Sequence, residues 1–161
     1  MERVVVYSSR SGNTRALAEA AFLALPEEKS LYAVEQAPDP ARFDLVVLGF
    51  WVRHGEPDPE ALGYLARVGK RPLFLFATLV SAPDSACARR AMAMAAAQAP
   101  EAALLGTFCC RGQADPAALA EALTQKPLPA WLAEAPAAFG HPDAADAADL
   151  HAALRAAIAC H

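Results

Sequence analysis

Val4-Val5-Val6 runs directly into Tyr7-Ser8-Ser9-Arg10-Ser11-Gly12-Asn13-Thr14, and this stretch constrains the fold more than any other. Three consecutive β-branched residues suit a central parallel strand buried on both faces, expected over about Arg3 to Tyr7. An Ala/Leu-rich run from Arg15 to Leu25 follows at once and reads as a helix. Its stripe Ala16, Leu17, Ala20, Ala21 and Leu23/Ala24 is expected to face the sheet, and Pro26 to end it. A strand entering a tight turn that opens a helix leaves free N–H groups and partial positive charge at the helix start. Ser9, Ser11 and Thr14 add hydroxyl donors, Gly12 permits close backbone approach and Asn13 tolerates unusual φ. That chemistry suits a phosphate dianion held mainly by neutral donors. The plainer alternative is a helix N-cap, where Ser, Thr and Asn are common.

Further along, alternating strand and helix signals continue. A short strand is expected at Leu31 to Val34, and Pro38 and Pro40 break the chain before a strong strand at Asp44 to Leu48. A loop from Gly49 to Pro57 then carries Phe50, Trp51, Arg53, His54 and Glu56. Asp58-Pro59 and Asp115-Pro116 each read as an N-cap followed by proline at the first helical position. Strands are expected at Pro72 to Ala77 and Ala103 to Cys109. Between them lies a loop from Thr78 to Pro83, a capping box at Ser81-Ala82-Pro83-Asp84, and a helix reaching Gln98 whose Met92 and Met94 fill gaps in packing. After Lys126, four prolines punctuate an extended tail that ends in a helix from about Ala144 to Cys160. Five such units make a doubly wound α/β sandwich with its ligand at the carboxyl ends of the strands.

The segment Ser9-Arg10-Ser11-Gly12-Asn13-Thr14 resembles the phosphate loop of the flavodoxin family, T/S-x-T/S-G-x-T. Phe43 to Trp51, Leu73 to Leu79 and Leu104 to Phe108 resemble that family's third, fourth and fifth strands. A short bacterial flavodoxin-like subfamily is the nearer likeness, through Gly49-Phe50-Trp51-Val52, Gly106-Thr107-Phe108-Cys109-Cys110-Arg111-Gly112 and His141-Pro142-Asp143. The resemblance implies a five-stranded parallel sheet of order 2-1-3-4-5 with a C-terminal helical extension. Residues 1–126 would form the core, with the 127–161 tail packed on the same domain. Strand five lacks a long interruption, which resembles the short-chain type. FMN is the implied cofactor, its phosphate held by Ser8, Ser9, Arg10, Ser11, Gly12, Asn13 and Thr14. Its ring would lie between Phe50, Trp51, Val52, Arg53, His54 and Gly55 on one side and Thr78, Leu79, Val80 and Ser81 on the other. Trp51 is the expected stacking residue, against the alternative that it plugs a core edge. Arg53 and His54 would tune the flavin or stand as ordinary solvated charges. The implied role is electron transfer to a partner oxidoreductase, with no catalytic residue of its own. The subfamily includes the flavodoxin-like partner of bilirubin reductase. A self-contained NAD(P)H:quinone reductase and a flavin-free docking subunit are the alternatives.

Other chemistries lack their residues. A net charge of −4 disfavours non-specific binding to nucleic acid or anionic membranes. No G-x-G-x-x-G follows the first strand, and no Gly-Lys-Ser/Thr is present. Cys87, Cys109, Cys110 and Cys160 form no C-x-x-C pair; adjacent Cys109 and Cys110 would point to opposite sheet faces. Four reduced thiols, and an apolar start too short for a signal peptide, are expected of a cytoplasmic protein. His141 and His151 with Asp143 and Asp146 make a weak metal group by spacing, and no metal is expected.

Overall fold

The computed structural model describes residues 1–161. Its strands are β1 (Arg3–Tyr7), β2 (Lys29–Ala33), β3 (Leu45–Arg53), β4 (Glu56–Pro57), β5 (Pro72–Leu79) and β6 (Ala103–Arg111). Its helices are α1 (Asn13–Ala24), α2 (Pro59–Leu65), α3 (Ala86–Gln98), α4 (Pro116–Ala122), α5 (Ala135–Ala138) and α6 (Ala144–Ala159). Five strands run parallel in the order β2-β1-β3-β5-β6, with β1 flanked by β2 and β3. Counting parallel strands alone, this is the expected 2-1-3-4-5 arrangement.

Side-chain alternation along the strands builds two separate cores, one on each face. Val4 and Val6 of β1 join Val46, Leu48 and Phe50 of β3 and Leu73, Leu75 and Ala77 of β5 beneath α2 and α3. Val5, Leu45, Val47, Phe74 and Phe76 point the other way, under α1 and α6. Cys109 and Cys110 divide between these faces as their adjacency requires. From the tail, α6 contributes Leu150 and Leu154 to the second core.

Five local expectations are corrected. The buried stripe of α1 is Thr14, Leu17, Ala18, Ala21 and Ala24, while Ala16 is exposed and Leu23 is 74% exposed. The phase is set by Thr14, whose hydroxyl meets that of Thr78 at 2.9 Å inside the protein. Between β2 and β3 there is no α-helix, only single 3-10 turns at Val34–Gln36 and Pro40–Arg42, because Pro38 and Pro40 deny a longer helix its N–H groups. The segment expected as a loop after Leu48 instead continues β3 to Arg53 and turns back into β4, a sixth, antiparallel strand. His54 (φ 51°) and Gly55 (φ 77°) form the two-residue turn of this hairpin, both in the left-handed region such turns use. The N-cap of α3 is Ser85, accepting from the Ala88 N–H, and not the earlier Ser81. The tail is only partly extended: a 3-10 turn at Ala130–Glu134 and the short α5 precede α6.

Gly49 reads as a strand end, yet it lies in mid-strand for a packing reason. A Cβ there would fall 2.2 Å from the ring of Phe76, itself fully buried. Gly49→Ala is therefore expected to destabilise the fold by about 1–3 kcal/mol through overpacking. Gly63, inside α2 with open space around its Cβ position, gives the opposite sign: Gly63→Ala should stabilise by about 0.5–1 kcal/mol. Urea unfolding midpoints of the two variants measure both.

Candidate functional site

The carboxyl ends of β1, β3 and β5 lie side by side, so the segments that leave them meet on one rim of the sheet. The first carries Ser8, almost fully buried, whose N–H donates to Gly49 O at 3.0 Å and whose hydroxyl donates to Asp58 Oδ1 at 2.6 Å. Asp58 has no exposed surface and also accepts from the N–H groups of Ala61 (3.1 Å) and Trp51 (3.3 Å). Burial pushes its carboxyl above the usual aspartate range, and the bonds from Ser8, Ala61 and Trp51 pull it back. One carboxylate thus joins the start of the first loop, the backbone of Trp51 and the start of α2. The sequence signals only its cap.

After Ser8 the chain turns outward. Ser9 Oγ accepts from the Gly12 N–H at 3.1 Å, and Gly12 adopts φ 96° with nothing within 4 Å of a Cβ position. Arg10, Ser11 and Gly12 are exposed. Asp58, Ser85, Asp115 and Asp143 cap α2, α3, α4 and α6 with their side chains, whereas α1 starts at Gly12 with no side-chain cap. The N-terminal N–H groups of α1 therefore stand beside the open space over Gly12, with the Ser9 and Ser11 hydroxyls next to them in the chain. Thr14 and Ser8 hold the loop from inside. Asn13 does so from the flank, donating from Nδ2 to Gln113 O at 2.8 Å. Gly112 makes that approach possible, since a Cβ there would lie 2.8 Å from Asn13 Nδ2. Gln113 escapes sequence reading, and Gly112 is legible only as part of a motif, because their role here depends on β6 ending beside α1.

In the second segment Trp51 and Val52 are half-buried at the end of β3, and Arg53 and His54 are exposed on the hairpin turn. Gly55 packs over α3, its Cβ position 3.9 Å from Cys87 Sγ, and Glu56 meets Arg90 at 3.5 Å. Phe50 is fully buried in the core below and offers no face to the rim. In the third segment Thr78 and Leu79 are buried, while Val80 and Ser81 are half-buried. Val80 O accepts from Arg111 Nη1 at 2.7 Å, and the same guanidinium pairs with Glu134 at 2.9 Å, tying this loop to the tail. The three expected segments do converge, with Trp51 as the one aromatic side chain they expose.

Two further groups lie nearby. A cleft of about 350 Å³ opens on the β6 side of the first loop, lined by Ser11, Asn13, Gln113, Asp115 and His141 among others. His141, Asp143 and Asp146 bring ligand atoms within 4.8 Å of one another, without His151. Their atoms are engaged in capping α6: Asp146 Oδ2 takes His141 Nδ1 at 2.6 Å and the Asp143 N–H at 2.8 Å. Burial pushes the Cys109 thiol up to about 12 and that of Cys110 higher still, leaving both protonated and unreactive at neutral pH. No helix is long and apolar enough to cross a membrane.

Residues 4–155 match the flavodoxin domain family. The flavodoxin-like domain-containing protein BilS of Clostridium symbiosum is 34% identical to the chain, over 70% of this chain and 69% of that protein. Among solved structures, oxidised flavodoxin 2 from Bacillus cereus superposes with a TM-score of 0.67 at 16% identity, covering all of both chains. A flavoprotein from Lactobacillus acidophilus in complex with FMN gives 0.54 at 15% identity, over 67% of this chain and 92% of its own.

If Asp58 is the tie between these segments, Asp58→Ala should lose more than a cap. Loss of a cap costs about 1 kcal/mol, and an unpartnered buried Ser8 hydroxyl adds about 1–3 kcal/mol. A total near 2–4 kcal/mol is expected in chemical denaturation. The doubly altered Ser8→Ala/Asp58→Ala chain should lose less than the sum of the single variants.

Proposed function

The chain belongs to the flavodoxin domain family, and from that premise we propose that it holds FMN and carries electrons to a partner oxidoreductase. One observation carries the reading: the uncapped start of α1 opens at Gly12 onto free space, beside a half-buried tryptophan at the end of the neighbouring strand. A phosphate dianion fits that helix start, where N–H groups and the helix dipole converge without a competing carboxylate cap. Ser9 keeps its hydroxyl proton free to donate, since its oxygen accepts from Gly12, and Ser11 is exposed for the same use.

When bound, FMN supplies one- and two-electron chemistry that no side chain of this protein provides. The protein's part is to bind and orient. Trp51 offers a broad aromatic face on one side, and Val80 and Ser81 close the other. Ser8, Asp58, Thr14 and Thr78 keep the segments in register through buried hydrogen bonds. Arg53 is exposed at the end of β3, two residues beyond Trp51, where its positive charge would favour a reduced, anionic flavin.

The partner would be a separate reductase, since the loops carry no nicotinamide-binding motif. The likeness to the subfamily of the bilirubin reductase partner favours an enzyme acting on unsaturated tetrapyrroles. Cytoplasmic placement accords with its unpaired cysteines.

FMN should bind at least ~100-fold more tightly than riboflavin, as two charge-assisted hydrogen bonds of about 1.5 kcal/mol each would require. Equal affinities in a fluorescence titration would remove the phosphate from the α1 loop. FMN should also quench Trp51 strongly, with Trp131 contributing little, so Trp51→Ala should abolish most of the intrinsic quenching. The isolated flavin-loaded protein should oxidise NADH or NADPH, with a quinone acceptor, well below about 1 s⁻¹. Faster turnover lies in the ordinary enzyme range and would replace the carrier by a quinone reductase.

A further inference from the structure

Arg10 is the one charged side chain in the Ser8–Thr14 loop. The side chain is 55% exposed, yet its guanidinium lies over Trp51, 5.8 Å from the ring centroid, with Nη2 4.0 Å from Asp115 Oδ2. Trp51 belongs to the end of β3 and Asp115 caps α4 beyond β6, while β5 lies between β3 and β6. The side chain therefore reaches across the rim where the three segments converge. It takes up one ring face of the only aromatic residue exposed there. The guanidinium, the indole and the carboxylate come from three separate stretches of chain.

We propose that Arg10 sets the preference of this site for a phosphorylated flavin, by guarding the Trp51 ring until a phosphate binds at the adjacent loop. This rests on the FMN reading above. A flavin ring seeking Trp51 must displace the guanidinium. A ligand without phosphate leaves Arg10 only water in exchange for the indole face and Asp115. A phosphorylated ligand brings its dianion to Ser11 and Gly12, within two residues of Arg10, and supplies a better counter-ion than a half-buried carboxylate at 4.0 Å whose oxygen already caps α4. Phosphate binding and ring stacking are coupled in this way through one side chain. Arg10 penalises the unphosphorylated ligand and rewards the phosphorylated one.

That double sign separates the proposal from a simple cationic contact, which would help FMN without hindering riboflavin. In the full chain, Arg10→Ala should bind riboflavin about two- to fivefold more tightly than the native protein, the fold-change for one exposed cation–π contact. The same variant should bind FMN more weakly, so that the FMN/riboflavin affinity ratio falls at least about tenfold, the scale of one charge-assisted hydrogen bond. Asp115→Asn should weaken the latch without touching the phosphate side, raising the affinities for riboflavin and FMN by a similar factor and leaving their ratio unchanged. A readout without flavin runs alongside: in a Trp131→Phe background, acrylamide quenching of Trp51 should rise on Arg10→Ala. If the native chain prefers FMN but Arg10→Ala leaves riboflavin binding unchanged or weaker, the latch is overturned and the FMN site stands. If the native chain binds neither flavin, the FMN reading and the flavin preference fall together. Unchanged acrylamide quenching in Arg10→Ala overturns the guarded ring in either case.

Discussion

The rim of this sheet depends on a single buried carboxylate. Asp58 has no exposed surface, and a carboxyl group so placed is costly unless it is hydrogen-bonded. The Ser8 hydroxyl and the N–H groups of Trp51 and Ala61 supply three such bonds. The cost of desolvation thereby becomes a geometric constraint. The first loop cannot leave β1, nor Trp51 leave the end of β3, without stranding Asp58 inside the protein. Such a tie acts on the two segments that a phosphate and an aromatic ring would need at a fixed separation.

Around that tie, each remaining segment is anchored by a different device. Thr14 reaches Thr78 beneath the helix start, and Asn13 reaches the backbone of Gln113 past Gly112, where a side chain would collide. Arg111 holds Val80 with one end of its hydrogen-bonding fork and Glu134 of the tail alongside. Polar groups that point inward do the anchoring. Those left facing outward, Ser9, Ser11 and the N–H groups of the α1 start, are the ones the proposed phosphate would meet. The hydroxyl-rich turn thus divides its labour residue by residue, although its composition looks uniform.

Much of this was legible in the residues themselves. A run of β-branched residues leading into small and hydroxyl-bearing ones can serve few purposes other than a buried strand, a turn and a helix start. The sharing of successive buried residues of β1, β3 and β5 between two cores followed directly from side-chain alternation. Asp58-Pro59 and Asp115-Pro116 marked true helix starts because the cap and proline effects act within four residues. The strand order came through resemblance to a family, since local pattern alone is silent on which strand lies beside which.

Tertiary structure decided whatever depends on residues distant in sequence. Gly49 looked like the end of a strand, but its missing side chain makes room for Phe76 on the neighbouring strand, and β3 runs four residues further. Phe50 and Trp51 are adjacent and both aromatic. Strand alternation buries the first and brings the second to the rim. Thr14 belongs to the phosphate-loop pattern, yet Thr78, sixty-four positions away, turns its hydroxyl inward and sets the phase of α1. Arg10 filled a variable position of the motif, and only the folding of β3 and α4 to the same rim placed Trp51 and Asp115 within its reach. Local propensity and periodicity act over a few residues and so are written in the chain. Register, close packing and charge pairing arise between segments, and exist only once the sheet has brought them together.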